Sequence, residues 1–133
     1  MNSKIFEDVI LNNVENVRDL LERGVDPNEY EEGAMPIFYA RSPEMIDLLL
    51  SYGADINAKG EFGWTPLFQA VAFREADIVS HLLKRGADRT IKTEMGETII
   101  SFLIERLESA NKQIERYLKI LKVLGEEDGN QSL

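Results

Sequence analysis

A short phrase built on Gly-x-Asp is written three times in this chain, as Gly24-Val25-Asp26-Pro27-Asn28, Gly53-Ala54-Asp55-Ile56-Asn57 and Gly86-Ala87-Asp88-Arg89-Thr90, with steps of 29 and then 33 residues between copies. A phrase that returns at such a period marks stacked supersecondary units, each too small to bury its own apolar face. The chain is therefore expected to fold as a quasi-linear array in which neighbours complete one another's core. Function in such an array lies on a surface rather than in an enclosed pocket.

The segments between the phrases read as helical hairpins. Ile5, Phe6, Val9 and Ile10 share one helix face, and Val14, Val17, Leu20 and Leu21 share another, with Asn13 placed to cap the second helix and Gly24 to end it. The pair returns over residues 66–73 and 76–85, where Thr65 caps, Pro66 takes the first helical position, and Ile78, Val79, Leu82 and Leu83 form the buried stripe. Between them, residues 36–40 and 43–51 make a shorter pair capped by Ser42. After the third phrase, Ile100, Leu103, Ile104 and Leu107 predict one stripe and Ile114, Tyr117, Leu118, Leu121 and Leu124 another. Eight helices in four pairs result, in a single domain over residues 1–124, with units at 1–25, 26–55, 56–88 and 89–124. Residues 125–133 are acidic and polar, too poor in apolar area to order themselves, and are expected to be a flexible tail.

The 29-residue step is short for a physical reason. Between Ala40 and Gly53 lie 13 positions, against 16 between Ala70 and Gly86. Three missing residues are close to one helical turn of about 3.6 residues, so the first helix of the second pair should be clipped and a notch left at Arg41 to Glu44.

Gly63-Trp64-Thr65-Pro66-Leu67-Phe68-Gln69-Ala70, followed by Ile78-Val79-Ser80-His81-Leu82-Leu83-Lys84-Arg85-Gly86-Ala87-Asp88, resembles the ankyrin repeats. The family pattern is Gly-x-Thr-Pro-Leu-His-x-Ala, then Ile-Val-x-x-Leu-Leu-x-x-Gly-Ala-Asp. The resemblance implies an all-α solenoid of stacked helix-turn-helix pairs with projecting hairpin loops, covering residues from about 3 to 124. Met35 stands where the second unit would carry the capping Thr, which weakens helix entry by about 1 kcal/mol. The last unit keeps Thr98 but follows it with Ile99-Ile100-Ser101. Its long charged second helix, from Asn111 to Leu124, suits a C-terminal cap whose outer face meets water.

A formal charge of −9 and a pI near 4.6 oppose phosphate-backbone binding, so no nucleic acid is expected. The absence of cysteine removes disulfides, thiolate metal sites and a cysteine nucleophile, and suits a reducing compartment. The first 15 residues lack a signal-peptide core and no run approaches 18 apolar residues; the expected setting is cytoplasmic, away from membranes. No phosphate loop, His-Glu-x-x-His pattern or Ca²⁺ loop is present, so no cofactor or metal is expected. His81 reads as a packed or partly exposed helical residue, Ser80 has no partnering base, and Glu7 with Asp8 and Glu105 with Glu108 read as solvated pairs. No catalytic residue emerges; the chain does not read as an enzyme.

The resemblance implies that the inner helices and hairpin tips form a concave surface for partner proteins. The positions that match are Tyr30 and Glu32 on one tip, Lys59, Glu61, Phe62 and Trp64 on the next, Glu94 and Met95 on the last, and Phe73 at an inner-helix end. Phe62 and Trp64 have two readings, as anchors for a partner's pockets or as seals between adjacent tips. The acidic tips favour a partner with a basic surface. The leading expectation is a monomeric, non-enzymatic protein-interaction module. Its alternative is a small acidic inhibitor, of antitoxin or immunity type, directed at an enzyme with a basic site. A third reading, self-association, would use Ile120 and Val123 on the last helix.

Overall fold

Each Gly-x-Asp phrase closes a helical hairpin because its glycine leaves the helix in the left-handed region, at φ 94°, 97° and 96° for Gly24, Gly53 and Gly86. A Cβ in that conformation would crowd the following carbonyl. The computed structural model describes residues 4–109 and 114–128. In chain order these form α1 (Lys4–Ile10), α2 (Val14–Glu22), a 3₁₀ turn (Pro36–Tyr39), α3 (Pro43–Ser51), a second 3₁₀ turn (Glu61–Gly63), α4 (Pro66–Ala72), α5 (Ala76–Lys84), α6 (Ile99–Ser109) and α7 (Ile114–Asp128). An inner row of α1, the 36–39 turn, α4 and α6 packs against an outer row of α2, α3, α5 and α7. Between the rows, Ile5, Val9, Val17, Met45, Leu49, Val71, Val79 and Leu103 are withdrawn from water. Where the third unit meets the fourth, the rings of Trp64, Phe68 and Phe102 stack at centroid distances of 4.9–6.1 Å.

The rest of the phrase ties each copy of it to the next. Asp26, Asp55 and Asp88 each accept a hydrogen bond from the backbone N–H two residues on, closing an Asx turn at 2.8–2.9 Å. Asn28 then reaches across: its Nδ2 donates to Gly53 O at 2.9 Å, and its Oδ1 accepts from Asp55 N–H at 2.8 Å. Asn57 Oδ1 accepts from Asp88 N–H at 2.9 Å. The repeated phrase is a ladder, with an asparagine as each rung.

Helix entries follow the capping chemistry. Ser42 Oγ accepts from Met45 N–H at 3.1 Å and Thr65 Oγ1 from Phe68 N–H at 3.2 Å. Met35 supplies no side-chain cap, and the segment after it winds only into the 3₁₀ turn, the clipped helix that the short step predicts. Thr98 and Ser101 cap reciprocally, each accepting from the other's N–H, at 3.0 and 2.9 Å.

Several details differ from the sequence patterning. Asn13 makes no cap hydrogen bond to α2; its Nδ2 instead donates to Asp8 Oδ1 at 3.3 Å. Asp8 is not solvated but 1% exposed, because it lies three residues after Ile5 on the face that α1 buries, where Lys4 Nζ approaches it at 3.5 Å. Leu103, Tyr117 and Leu124 are buried as the stripes predict, but Ile100, Ile104 and Leu118 fall on the exposed side, and Ile99, Phe102 and Ile120 are buried instead. Ile120, at 0% exposure, is core and cannot pair two copies. Both last helices carry apolar residues on more than one face, and contact with Phe68 and α5 decides which face is turned inward. α7 also continues past Leu124 to Asp128, with Arg89 donating to Leu124 O at 2.6 Å. The remainder of the expected tail, residues 129–133, lies outside the described residues, as does the predicted helix start at Asn111.

Candidate partner-binding surface

The hairpin tips are joined backbone to backbone. Glu61 N–H donates to Gly33 O at 2.7 Å and Glu94 N–H to Phe62 O at 3.0 Å, so each tip leans on the one before it. The second unit's tip is closed by reciprocal Glu31 and Ala34 hydrogen bonds, with Glu32 at φ 50° and Gly33 at φ 85°. The third unit's tip is closed by Gly60 N–H to Trp64 O at 2.8 Å, with Phe62 at φ 63°. A left-handed backbone is uncommon outside glycine and costly for a bulky side chain. Phe62 holds it while remaining 61% exposed.

Below the tips the clipped turn opens a groove between the second and third units. A cavity of about 220 Å³ is lined by Glu32, Phe38, Tyr39, Glu61, Phe62 and Trp64 among others. A second of about 260 Å³ continues past Tyr39 to Phe73, Arg41 and Glu75. The two share Phe38, Tyr39 and Gln69, and Gln69 Nε2 donates to Phe38 O at 2.7 Å across the unit boundary. The groove is thus aromatic along its length and edged at the tip end by Glu32 and Glu61, neither of which makes an ion pair among the described residues. An aromatic wall beside free carboxylates is the chemistry that receives a cationic side chain with an apolar stem.

The predicted positions divide accordingly. Glu32, Glu61, Phe62 and Trp64 come together around one cavity and Phe73 lines its neighbour. Trp64 is half-buried, its ring engaged by Phe68 and Phe102, whereas Phe62 and Phe73 are each 61% exposed. Tyr30, Lys59, Glu94 and Met95 are exposed but line neither cavity. Tyr39 and Gln69 belong to the groove and are not picked out by the sequence patterning. Their signal was present in the missing helical turn, which exposes the side of α4 that a full inner helix would cover.

On the outer row, Asp47 of α3 meets His81 of α5 and Arg85 at the C-cap of that helix. His81 Nε2 lies 2.7 Å from Asp47 Oδ1, and the Arg85 guanidinium forks onto both carboxylate oxygens at 2.8 and 3.0 Å. The Arg85 hydrogen bond foremost, and His81 as well, hold the Asp47 carboxyl below its ordinary value, against a smaller opposing effect of desolvation. This cluster fastens two outer helices and accounts for His81. Among the described residues no group of His, Cys, Asp and Glu is arranged to hold a metal ion, and no helix is long and apolar enough to cross a membrane.

Comparison with known proteins agrees with this architecture. The family model described as "Ankyrin repeats (3 copies)" matches residues 7–93. An ankyrin repeat-containing protein of Schizosaccharomyces pombe is 36% identical over 84 residues, covering 61% of this chain and 40% of its own length. Human protein phosphatase 1 regulatory subunit 27 is 43% identical over 54 residues, covering 41% of this chain and 35% of its own. Among solved structures, the ankyrin repeat domain of Bcl-3 superposes with a TM-score of 0.70 at 30% identity, over 75% of this chain and 46% of that one. The chain thus spans less than half the length of these relatives. With the repeated phrase, the two helical rows and the matched segment in agreement, the chain belongs to the ankyrin-repeat family, whose repeats are protein–protein interaction modules.

Proposed function

We propose that the protein is a non-enzymatic interaction module that seats a basic segment of a partner protein in the groove between its second and third units. The observation that carries this reading is Phe62, a large apolar side chain 61% exposed on a left-handed backbone. It bears both a conformational and a solvation cost with no ring contact of its own among the described residues. Such a residue is suited to filling a partner's pocket. Glu32 and Glu61 beside it attract a Lys or Arg, whose stem lies along Tyr39 and Phe73. That human protein phosphatase 1 regulatory subunit 27 shares part of this sequence fits a regulatory binding role.

The test is a random-peptide display selection on the intact chain, followed by binding measurements with the selected peptides. Selected peptides are expected to be enriched in Lys and Arg next to an aliphatic residue. Phe62→Ala, checked by circular dichroism for unchanged helicity, should weaken them at least about 10-fold, as loss of an interface anchor does. Glu32→Gln/Glu61→Gln should flatten the salt dependence of binding. Selected peptides without a basic bias, or equal binding to Phe62→Ala, would refute the assignment.

A further inference from the structure

The three-residue deletion opens a second feature at the edge where the helix pairs turn, opposite the hairpin tips. A cavity of about 460 Å³ lies there, between the 41–43 turn, the start of α5 and the first turns of α7. Its charged lining is Arg41, Arg74, Arg116 and Lys119 against Glu75 and Asp77. In a chain whose net charge is −9, this concavity is lined by a surplus of cations. We infer that the notch is an anion site that takes a phosphate group carried on a larger molecule.

Arg74 shows the clearest preparation for such a ligand. It sits in the turn between α4 and α5 at φ 59°, a left-handed conformation uncommon for a residue with a side chain. One terminal nitrogen donates to Tyr117 Oη at 3.2 Å and the guanidinium lies 5.8 Å from the Tyr117 ring centroid. Its Nε–H is shut off from water without an acceptor. That burial concerns Nε alone; Arg74 itself lines the notch, where its positive charge acts on an entering anion. Around it, Arg41 meets Glu75 only at 3.9 Å, a contact too long to be a hydrogen bond. Arg116 and Lys119, one turn apart on α7, are exposed and make no ion pair among the described residues. α5 opens into the same space with no side-chain cap from Glu75.

The ligand's class follows from charge, shape and size. Four cations less two carboxylates leave a charge of +2, matching a phosphate monoester, which carries about −1.5 to −2 at neutral pH. Three of the four cations are arginines, whose planar fork suits phosphate better than a point charge does. The notch, about 460 Å³, has room for a phosphate together with the group that carries it. That carrier is a small polyphosphate or a phosphorylated side chain. The notch shares Arg41 and Glu75 with the groove, but the inference does not rest on a partner binding there.

The test is a ¹H–¹⁵N NMR titration of the intact chain at constant ionic strength. One arm uses inorganic pyrophosphate and the other the peptide acetyl-glycyl-phosphoseryl-glycinamide. Saturable shifts are expected at Arg41, at Arg74 to Ile78 and at Tyr117 with at least one probe. Response to pyrophosphate alone assigns a free polyphosphate, and response to the peptide alone assigns a phosphorylated chain. Arg116→Gln/Lys119→Gln, two exposed positions, should weaken binding at least about 10-fold. Lys59→Gln/Lys92→Gln makes the same charge change on the tips and should leave binding unaltered. Binding should also fall as pH drops below about 6, where the phosphate loses its second charge. Absence of saturable shifts with both probes, or equal weakening by both double variants, would overturn the site.

Discussion

Removing the rung at Asn28 tests whether the repeated phrase couples the units or merely ends their helices. Asn28→Ala deletes two hydrogen bonds to the next copy of the phrase, from Nδ2 to Gly53 O and from Asp55 N–H to Oδ1. A net hydrogen bond contributes about 1 kcal/mol to stability, so the loss should be about 2 kcal/mol. Asn57→Ala deletes the single contact from Asp88 N–H and should cost about 1 kcal/mol. With a urea m-value of about 1.5 kcal/mol/M, the midpoints should fall by about 1.3 M and about 0.7 M. Two probes then locate the damage. Trp64 is the sole tryptophan and reports the third and fourth units, while ellipticity at 222 nm reports every helix. In a nearest-neighbour array, weakening contacts at the leading end lets the leading units detach early. In Asn28→Ala the ellipticity transition should therefore precede that of Trp64, whereas the parent transitions coincide. If both midpoints stay within 0.2 M of the parent (about 0.3 kcal/mol at that m-value) and the probes still coincide, the ladder contributes nothing to coupling and the reasoning fails.

Gly24→Ala and Gly63→Ala separate backbone strain from crowding. Both glycines are left-handed, but a Cβ at Gly24 meets open space, whereas at Gly63 it would lie 2.8 Å from Glu94 N. Gly24→Ala should cost about 1 kcal/mol, and Gly63→Ala about 3 kcal/mol once overpacking is added; equal costs in urea titration would show that the tips do not press on one another. Asp47→Asn should alter the acid limb of stability. The folded-state carboxyl of Asp47 is held below its ordinary value of 3.8, so its contribution is complete above that value and disappears as pH falls through the lowered one. The urea midpoints of parent and Asp47→Asn should differ at pH 7 and converge below pH 3.8; a gap independent of pH would contradict the pairing with Arg85 and His81.

The third unit was legible almost residue by residue because each of its motif positions has a local cause. Thr65 caps, Pro66 fixes the first turn and Gly86 turns the exit, and none of these needs a distant neighbour. The clipped helix was legible for a similar reason, since counting positions between Ala40 and Gly53 requires only the period. What failed was decided between units. Periodicity alone set Ile104 and Leu118 inward, yet the aromatic contact of Phe102 with Phe68 and the burial of Ile120 rotate both helices away from that choice. Asp8 was misplaced because a carboxylate on an apolar face gives no sign of its partners, here Lys4, Asn13 and Asn16. Of the surface, exposed single residues such as Phe62 could be read from loop position. The groove was legible only as the missing turn, not residue by residue, because Tyr39 lies 30 and 34 residues from Gln69 and Phe73 and meets them only where two units stack.

The backbone link between tips sets distances along the proposed binding face. Glu61 N–H on Gly33 O and Glu94 N–H on Phe62 O hold neighbouring tips at hydrogen-bond spacing, and no side chain takes part in either contact. Gly60 cannot accept a Cβ, which would sit 2.5 Å from Gly33 O, so the contact point itself is closed to substitution. The row of tips is consequently a ruler whose graduations are fixed by peptide geometry while its markings are not. Under the proposed function, exchanging Glu61 or Phe62 would change what is recognised and leave where it is recognised unchanged.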